Sequence, residues 1–137
     1  SYPDSLGVTI ALAFRSSAAV TAALDLNAKA IVTPSESGYT ARMVARFRPR
    51  VPVYAVTPHD ETCGWLTVVW GVQTMQEVIS GDVSEKAMEV LMSRGLLKPG
   101  DLCVITKGVP FGVAGTTNVM EVRTAGKDPV PPTVRNH

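Results

Sequence analysis

Between Pro34 and Arg42 the chain reads Pro-Ser-Glu-Ser-Gly-Tyr-Thr-Ala-Arg, which places the hydroxyls of Ser35, Ser37 and Thr40 around Gly38. An apolar run, Lys29 to Thr33, comes before this stretch, and an amphipathic segment, Gly38 to Arg48, comes after it. The hydroxyls therefore fall on a strand-to-helix turn. The first amides of a helix have no intrahelical partner and carry roughly half a unit of positive charge, so a phosphate group binds there without many basic side chains. Gly38 allows close backbone approach and the hydroxyls supply donors. The chemistry indicated is anion binding rather than bond making, since Ser37 lies outside a GxSxG elbow and has no histidine near it in sequence. A capped helix start without a ligand is the other reading of the same residues.

A second candidate ligand segment is Lys107-Gly-Val-Pro-Phe-Gly-Val-Ala-Gly-Thr-Thr117, too irregular for an element yet directly following the apolar run Leu102 to Thr106. Lys107 is read as an anion contact, because a lysine placed after a strand is ordinarily solvated and a Schiff-base role needs a depressed pKa. Arg42 and Arg46 share a helix face while Pro49 separates Arg50, so these arginines form a solvated face or a subunit contact. Trp65 and Trp70 flank a helix-to-strand junction and are expected in the core.

The elements that must position these residues alternate. Asp4 or Ser5 can cap a helix to about Asn27, with Leu6, Ile10, Phe14, Val20 and Leu24 along its inner side. Strand Lys29 to Thr33 and helix Gly38 to Arg48, which displays Met43, Val44 and Phe47 on one side, lead through Pro49 and Pro52 to strand Val53 to Thr57. Asp60 is the expected N-cap of a short helix to about Val68, followed by a strand near Gly71 to Thr74. Gly81-Asp-Val-Ser84 opens a helix that packs Ala87, Val90, Leu91 and Met92 inward and ends at Gly95. Leu102 to Thr106 is bounded by turn signals, as a mid-sheet strand would be, and Asn118 to Arg123 forms a last strand, antiparallel because no helix separates the two. The pattern predicts an α/β fold, a three-layer αβα sandwich around a mostly parallel five-stranded sheet with the last strand antiparallel. Ligands in such sheets bind beyond the carboxyl ends of the strands, near a switch in strand order. Both candidate segments follow strands and so belong to that edge.

The 137 residues, 45% apolar, suffice for one domain with a core. A formal net charge of +1 gives no footprint for nucleic acid. The apolar stretch Val8 to Leu26 is broken by Arg15, Ser16, Ser17, Thr21 and Asp25, so neither a membrane span nor a secretory leader is expected. Cys63 and Cys103 lack CxxC spacing and lie far from His59 and His137, so the sequence suggests reduced, structurally buried thiols, a cytoplasmic setting and no metal site.

Four blocks in this order carry a resemblance: Ala30-Ile-Val-Thr-Pro-Ser-Glu-Ser-Gly-Tyr-Thr-Ala-Arg42, Phe47-Arg-Pro-Arg-Val-Pro-Val-Tyr-Ala-Val-Thr57, Val69-Trp-Gly-Val72, and Gly100 through Asn118. Over about Asp4 to Ala125 the chain resembles the C-terminal domain of pyruvate kinase, which makes residues 1–125 the domain and 126–137 a flexible tail or linker remnant. The resemblance implies an allosteric domain that binds a phosphorylated effector and contributes to subunit assembly in a homo-oligomeric glycolytic enzyme. Catalysis belongs to a separate barrel and its lid, which this sequence does not contain. The chain would thus be no enzyme by itself but part of a phosphotransferase, with no catalytic residue and no cofactor of its own, magnesium and potassium being implied only for the catalytic domains it would contact. Carried over by position, the effector residues are Ser35, Ser37, Gly38, Tyr39 and Thr40, with Lys107, Gly108, Gly112, Gly115 and Thr116 in the later loop as an anion contact and flap. Glu36 would repel a second phosphate, and the tryptophan and arginine that grip one in members responding to fructose 1,6-bisphosphate have no counterpart around Gln76 to Val83. The expected effector is therefore a monophosphate such as AMP or ribose 5-phosphate. Alternatives are an assembly module using Asn118 to Arg123 or neighbouring helices without an effector, or a standalone phosphate-ligand-binding protein.

Overall fold

The structure, a computed structural model, describes residues 12–13, 16–109 and 117–126. In chain order the elements are β1 (Leu12–Ala13), α1 (Ser16–Asp25), β2 (Ala30–Pro34), α2 (Tyr39–Ala45), β3 (Val53–Thr57), α3 (Asp60–Leu66), β4 (Val72–Gln76), α4 (Val83–Ser93), β5 (Leu102–Val109) and β6 (Thr117–Thr124). The strands form one sheet in the order β1-β6-β5-β2-β3-β4. β5, β2, β3 and β4 run parallel, and β6 is antiparallel to β5. This is the expected α/β sandwich with its five strands, widened by the two-residue edge strand β1 beside β6.

Alternation of side chains across the central strands builds the two flanking layers. One face carries Ile31, Val53, Val104 and Met120 against Ala19, Ala22 and Ala23 of α1 and Val44 of α2, with Ala55 against Ala41 of α2 and Leu66 of α3. The other face carries Val32, Val56, Cys103 and Ile105 against Ala87, Met88 and Leu91 of α4. Strands covered on both faces must be apolar throughout, and every residue of β2 and β3 is buried.

Several boundaries differ from the expected ones, for physical reasons. Among the described residues the helix expected from about residue 4 to 27 spans Ser16–Asp25. Leu12 and Ala13 extend instead to pair with Met120 and Val119, a non-local gain invisible to helical spacing; Leu6, Ile10 and Phe14 lie outside the described residues. The inner face of α1 is built from alanines that let the helix lie close to the sheet, and Leu24 is 63% exposed. α2 stops before Phe47, which is exposed like Trp65 and Trp70. The two tryptophans serve as platforms for Arg42, 5.8 Å from the Trp65 ring, and Arg48, 5.0 Å from the Trp70 ring, rather than as core. His59, not Asp60, occupies the N-cap of α3, and Asp60 falls in its first turn. β4 is shifted to Val72–Gln76, at the sheet edge beside β3. β5 continues through Val109, because Lys107, Gly108 and Val109 pair with Val119, Asn118 and Thr117, so the irregular segment is shorter than its glycines suggest.

Candidate functional site

The chain leaves β2 toward β3 on one side and returns through α4, on the opposite face, to place β5 on the other side of β2. The strand order therefore switches between β2 and β5, the place where sheets of this kind characteristically take ligands. Ser35 through Gly38 form the turn there, leading into α2.

The turn is organised by its own hydroxyls. The Gly38 amide donates to Ser35 Oγ at 2.8 Å, and the Tyr39 amide donates to Ser37 Oγ at 3.3 Å. Each accepting hydroxyl still has a proton to donate. Ser35 and Thr40 are buried, while Ser37 and Tyr39 are exposed. Gly38 adopts φ +77° as the N-cap, and a Cβ there would stand 2.9 Å from Leu66 Cδ1 and 3.1 Å from Thr62 Cγ2. A glycine is thus required by the left-handed backbone and by packing on α3, a reason different from the ligand approach expected of it.

Beside the turn, threonines line the carboxyl ends of the strands. Val32 of β2 stands opposite Ile105 of β5, so one residue onward Thr33 neighbours Thr106 on the face that holds Ile31 and Val104. Both threonines are fully buried. Thr33 Oγ1 donates to the Tyr54 carbonyl at 3.4 Å, but the Thr106 hydroxyl has no hydrogen-bond partner among the described residues. A buried hydroxyl left unpaired costs on the order of 1–3 kcal/mol, so its position at the switch point marks a place where a polar ligand would be satisfied.

The next turn, between β3 and α3, is tied to the first through Glu36. The Glu36 carbonyl accepts from Thr62 Oγ1 at 2.8 Å and Thr57 Oγ1 at 3.5 Å, and the Glu36 carboxylate is paired with His59 Nε2. The His59 amide donates in turn to Thr57 Oγ1 at 3.2 Å. A cleft of about 590 Å³ opens here, lined by Pro58, His59, Asp60, Glu61, Thr62 and Gln76. The Glu36–His59 pair joins residues on separate turns, and its one sequence signal is that each follows the end of neighbouring parallel strands.

The expected site residues separate into groups. Ser35, Ser37, Gly38, Tyr39 and Thr40 come together at the β2–α2 turn. Lys107 and Gly108 are strand residues, and Lys107 is not brought to that turn. It shares the face of Cys103 and Ile105, toward α4, where its ammonium lies 3.1 Å from Glu121 Oε2 and donates to Ser84 Oγ at 2.8 Å. Ser84 Oγ donates to Glu121 Oε1, and Arg123 Nη1 donates to Asp82 Oδ2 at 2.9 Å. Burial alone would raise the Asp82 carboxyl, but the Arg123 hydrogen bond, the Glu85 amide and the charges of Arg123 and Lys107 hold it below the usual range. Gly112, Gly115 and Thr116 lie outside the described residues.

Burial beside Asp101 pushes the Cys103 thiol up to about 12, and both cysteines are free. Among the described residues no three His, Cys, Asp or Glu side chains gather to hold a metal ion. No helix among those residues is long and apolar enough to cross a membrane.

Together, the sheet order and the helices on both faces define an α/β domain built on a mostly parallel sheet. The model of the family described as "Pyruvate kinase, alpha/beta domain" matches residues 15–123, and the chain belongs to that family. It is 44% identical over 103 residues to a pyruvate kinase of Geobacillus stearothermophilus, covering 73% of this chain and 18% of the relative. Against the pyruvate kinase of Staphylococcus aureus strain USA300 it is 42% identical over 111 residues, covering 77% and 19%. Among solved structures, the pyruvate kinase of Cryptosporidium parvum in complex with ADP superimposes with a TM-score of 0.70 at 29% identity, covering 80% of this chain and 23% of that one. The chain thus spans about a fifth of the length of the curated relatives it matches.

Proposed function

We propose that this chain is the effector-sensing domain of a cytoplasmic, glycolytic pyruvate kinase and takes a singly phosphorylated metabolite, a sugar monophosphate or nucleoside monophosphate, at the Ser35 to Thr40 turn. The observation that supports this most directly is that the hydroxyl-capped turn follows β2 where the strand order switches, and that on the neighbouring β5 the Thr106 hydroxyl is buried with no hydrogen-bond partner among the described residues. The Glu36 carboxylate on the same turn favours one phosphate over two. Phosphoryl transfer in such an enzyme would be the work of catalytic domains, with this domain biasing them and helping to join subunits. Exposed Val68, Trp70 and Val78 around the edge strand β4 support the assembly role.

Calorimetry on the folded chain with AMP, ribose 5-phosphate, inorganic phosphate and fructose 1,6-bisphosphate tests the reading. The expected outcome is saturable binding of the monophosphates, with the bisphosphate no tighter. A folded sample that gives no heat with any of them at millimolar concentration overturns it. Sedimentation tests assembly: association independent of phosphate would make assembly the sole role, and a monomer that binds phosphate would leave sensing alone.

A further inference from the structure

β4 ends the sheet and offers a row of backbone groups that nothing among the described residues covers. The Glu77 amide, just past the strand, donates to the Thr57 carbonyl of β3 at 2.9 Å. By alternation, Gln73 and Met75 turn their amides and carbonyls toward β3, while Val72, Thr74 and Gln76 turn theirs outward. Open edges are ordinarily blunted by lysine, proline or a bulge. β4 reads Val-Gln-Thr-Met-Gln, with neither a charge nor a proline. Large apolar side chains flank it: Trp70, two residues before the strand, is 68% exposed, and Val78, two residues after it, is 84% exposed. We propose that β4 pairs antiparallel with β4 of a second copy of this chain, about a two-fold axis at Thr74, so that one sheet runs through both subunits. The inference rests on the assembly role proposed above and names its surface and its partner.

Strand reversal is what makes a second copy the partner. Centred on Thr74, the pairing sets Thr74 against the partner's Thr74 and Val72 against the partner's Gln76. These are the three residues whose backbone groups face outward, so each meets another of the set. The same reversal carries Trp70 toward the partner's Val78 and Val78 toward the partner's Trp70, covering both apolar ends of the strand at once. Charge follows the same pattern. Arg48 lies over the Trp70 ring at 5.0 Å and has no carboxylate partner among the described residues, whereas Glu77 adjoins Val78 and, though held by Arg94 at 3.1 Å, keeps 43% of its side chain exposed. Antiparallel pairing brings the arginine end of one copy to the glutamate end of the other, while parallel pairing would set tryptophan on tryptophan and arginine on arginine. A surface that complements itself after reversal fits an isologous dimer better than an unrelated strand.

Sedimentation equilibrium of the full chain measures the dimer dissociation constant, and far-UV circular dichroism reports whether each variant is folded. Thr74→Lys places two ammonium groups at the axis and should weaken the dimer about tenfold or more. Val78→Glu, at a position too exposed to disturb the fold, should weaken it as well. Register is read by cross-linking in a Cys63→Ser background, which leaves the buried Cys103 as the native thiol. Under mild oxidation Thr74→Cys should give a disulfide-linked dimer, because residues directly opposite each other lie within disulfide reach. Gln76→Cys should not, since the partner's position 76 is roughly 14 Å away along the strand. A dimer that both charge variants leave unchanged, or one that cross-links through Gln76→Cys and not Thr74→Cys, overturns the β4 pairing while assembly through another surface stands. A folded chain that stays monomeric at every concentration removes the assembly role and the pairing together.

Discussion

The two faces of the sheet meet the same carboxyl edge with opposite solutions for charge. On the face of α4, Lys107 and Arg123 lie among Asp82, Glu85 and Glu121, and Ser84 bridges Lys107 to Glu121. Both cations there are committed to carboxylates within the protein. On the face of α1 and α2 the edge presents backbone amides, serine and threonine hydroxyls, and no lysine within the turn. The comparison teaches that an incoming anion cannot be recognised here by counting cations. Lys107, which opens the second candidate segment, is already neutralised, whereas the hydroxyls of the turn are on the other face.

Breaking the charged knot should produce the largest effect. Glu121 is 4% exposed and holds Lys107 and Ser84, so Glu121→Ala leaves a buried ammonium and guanidinium short of a partner. A loss of about 3–5 kcal/mol is expected from removing one member of a buried ion-pair network, read as a lowered urea midpoint, with sulfate affinity of the remaining folded fraction unchanged. The hydroxyl side should respond the other way round. Ser35→Ala strips the buried Gly38 amide of its acceptor, at a cost of about 1–2 kcal/mol, and weakens sulfate binding. Equal loss of sulfate affinity in both variants would erase the distinction between the faces.

A smaller effect follows from Asp82, which is 38% exposed and therefore screened. Its folded pKa lies below the ordinary carboxylate value, so its contribution is fully present above the unfolded value, near about 4, and is lost as pH falls through the folded one. Denaturation midpoints should accordingly drop more steeply below about pH 4 in the unaltered chain than in Asp82→Asn. Parallel curves would mean that the Arg123 contact adds nothing to stability.

The two faces also differ in how far they could be read in the sequence. The turn was legible because its determinants are local: hydroxyls, a glycine and the boundary between an apolar strand and a helix lie within one short segment. β3 is found at Val53–Thr57 as expected because Pro52 and an apolar run delimit it, and β6 is antiparallel because no helix intervenes. The knot was not legible, since it needs the β5–β6 register to bring Lys107 near Glu121 and needs α4 to cross that face. Its trace is the pair Glu121 and Arg123, two residues apart around the apolar Val122 in one strand and hence on one face. The same non-locality hid β1, which exists only as a partner of β6, and the Glu36–His59 pair.

The smallest change in stability, and the one that most sharpens the comparison, is expected at Thr106. Valine has nearly the same shape as threonine and lacks the hydroxyl that is buried here without a partner among the described residues. Thr106→Val should therefore leave the ligand-free protein as stable as before or raise it by up to about 1 kcal/mol, since an unsatisfied polar atom is replaced by an apolar one. If the hydroxyl exists to meet a ligand at the carboxyl ends of β2 and β5, the same variant should bind sulfate or ribose 5-phosphate several-fold more weakly while melting at an equal or higher temperature. A structural hydroxyl gives the opposite pairing, with lower stability and unchanged affinity. Stability and binding moving in opposite directions is a signature that neither a capped helix start nor a purely assembling surface would produce.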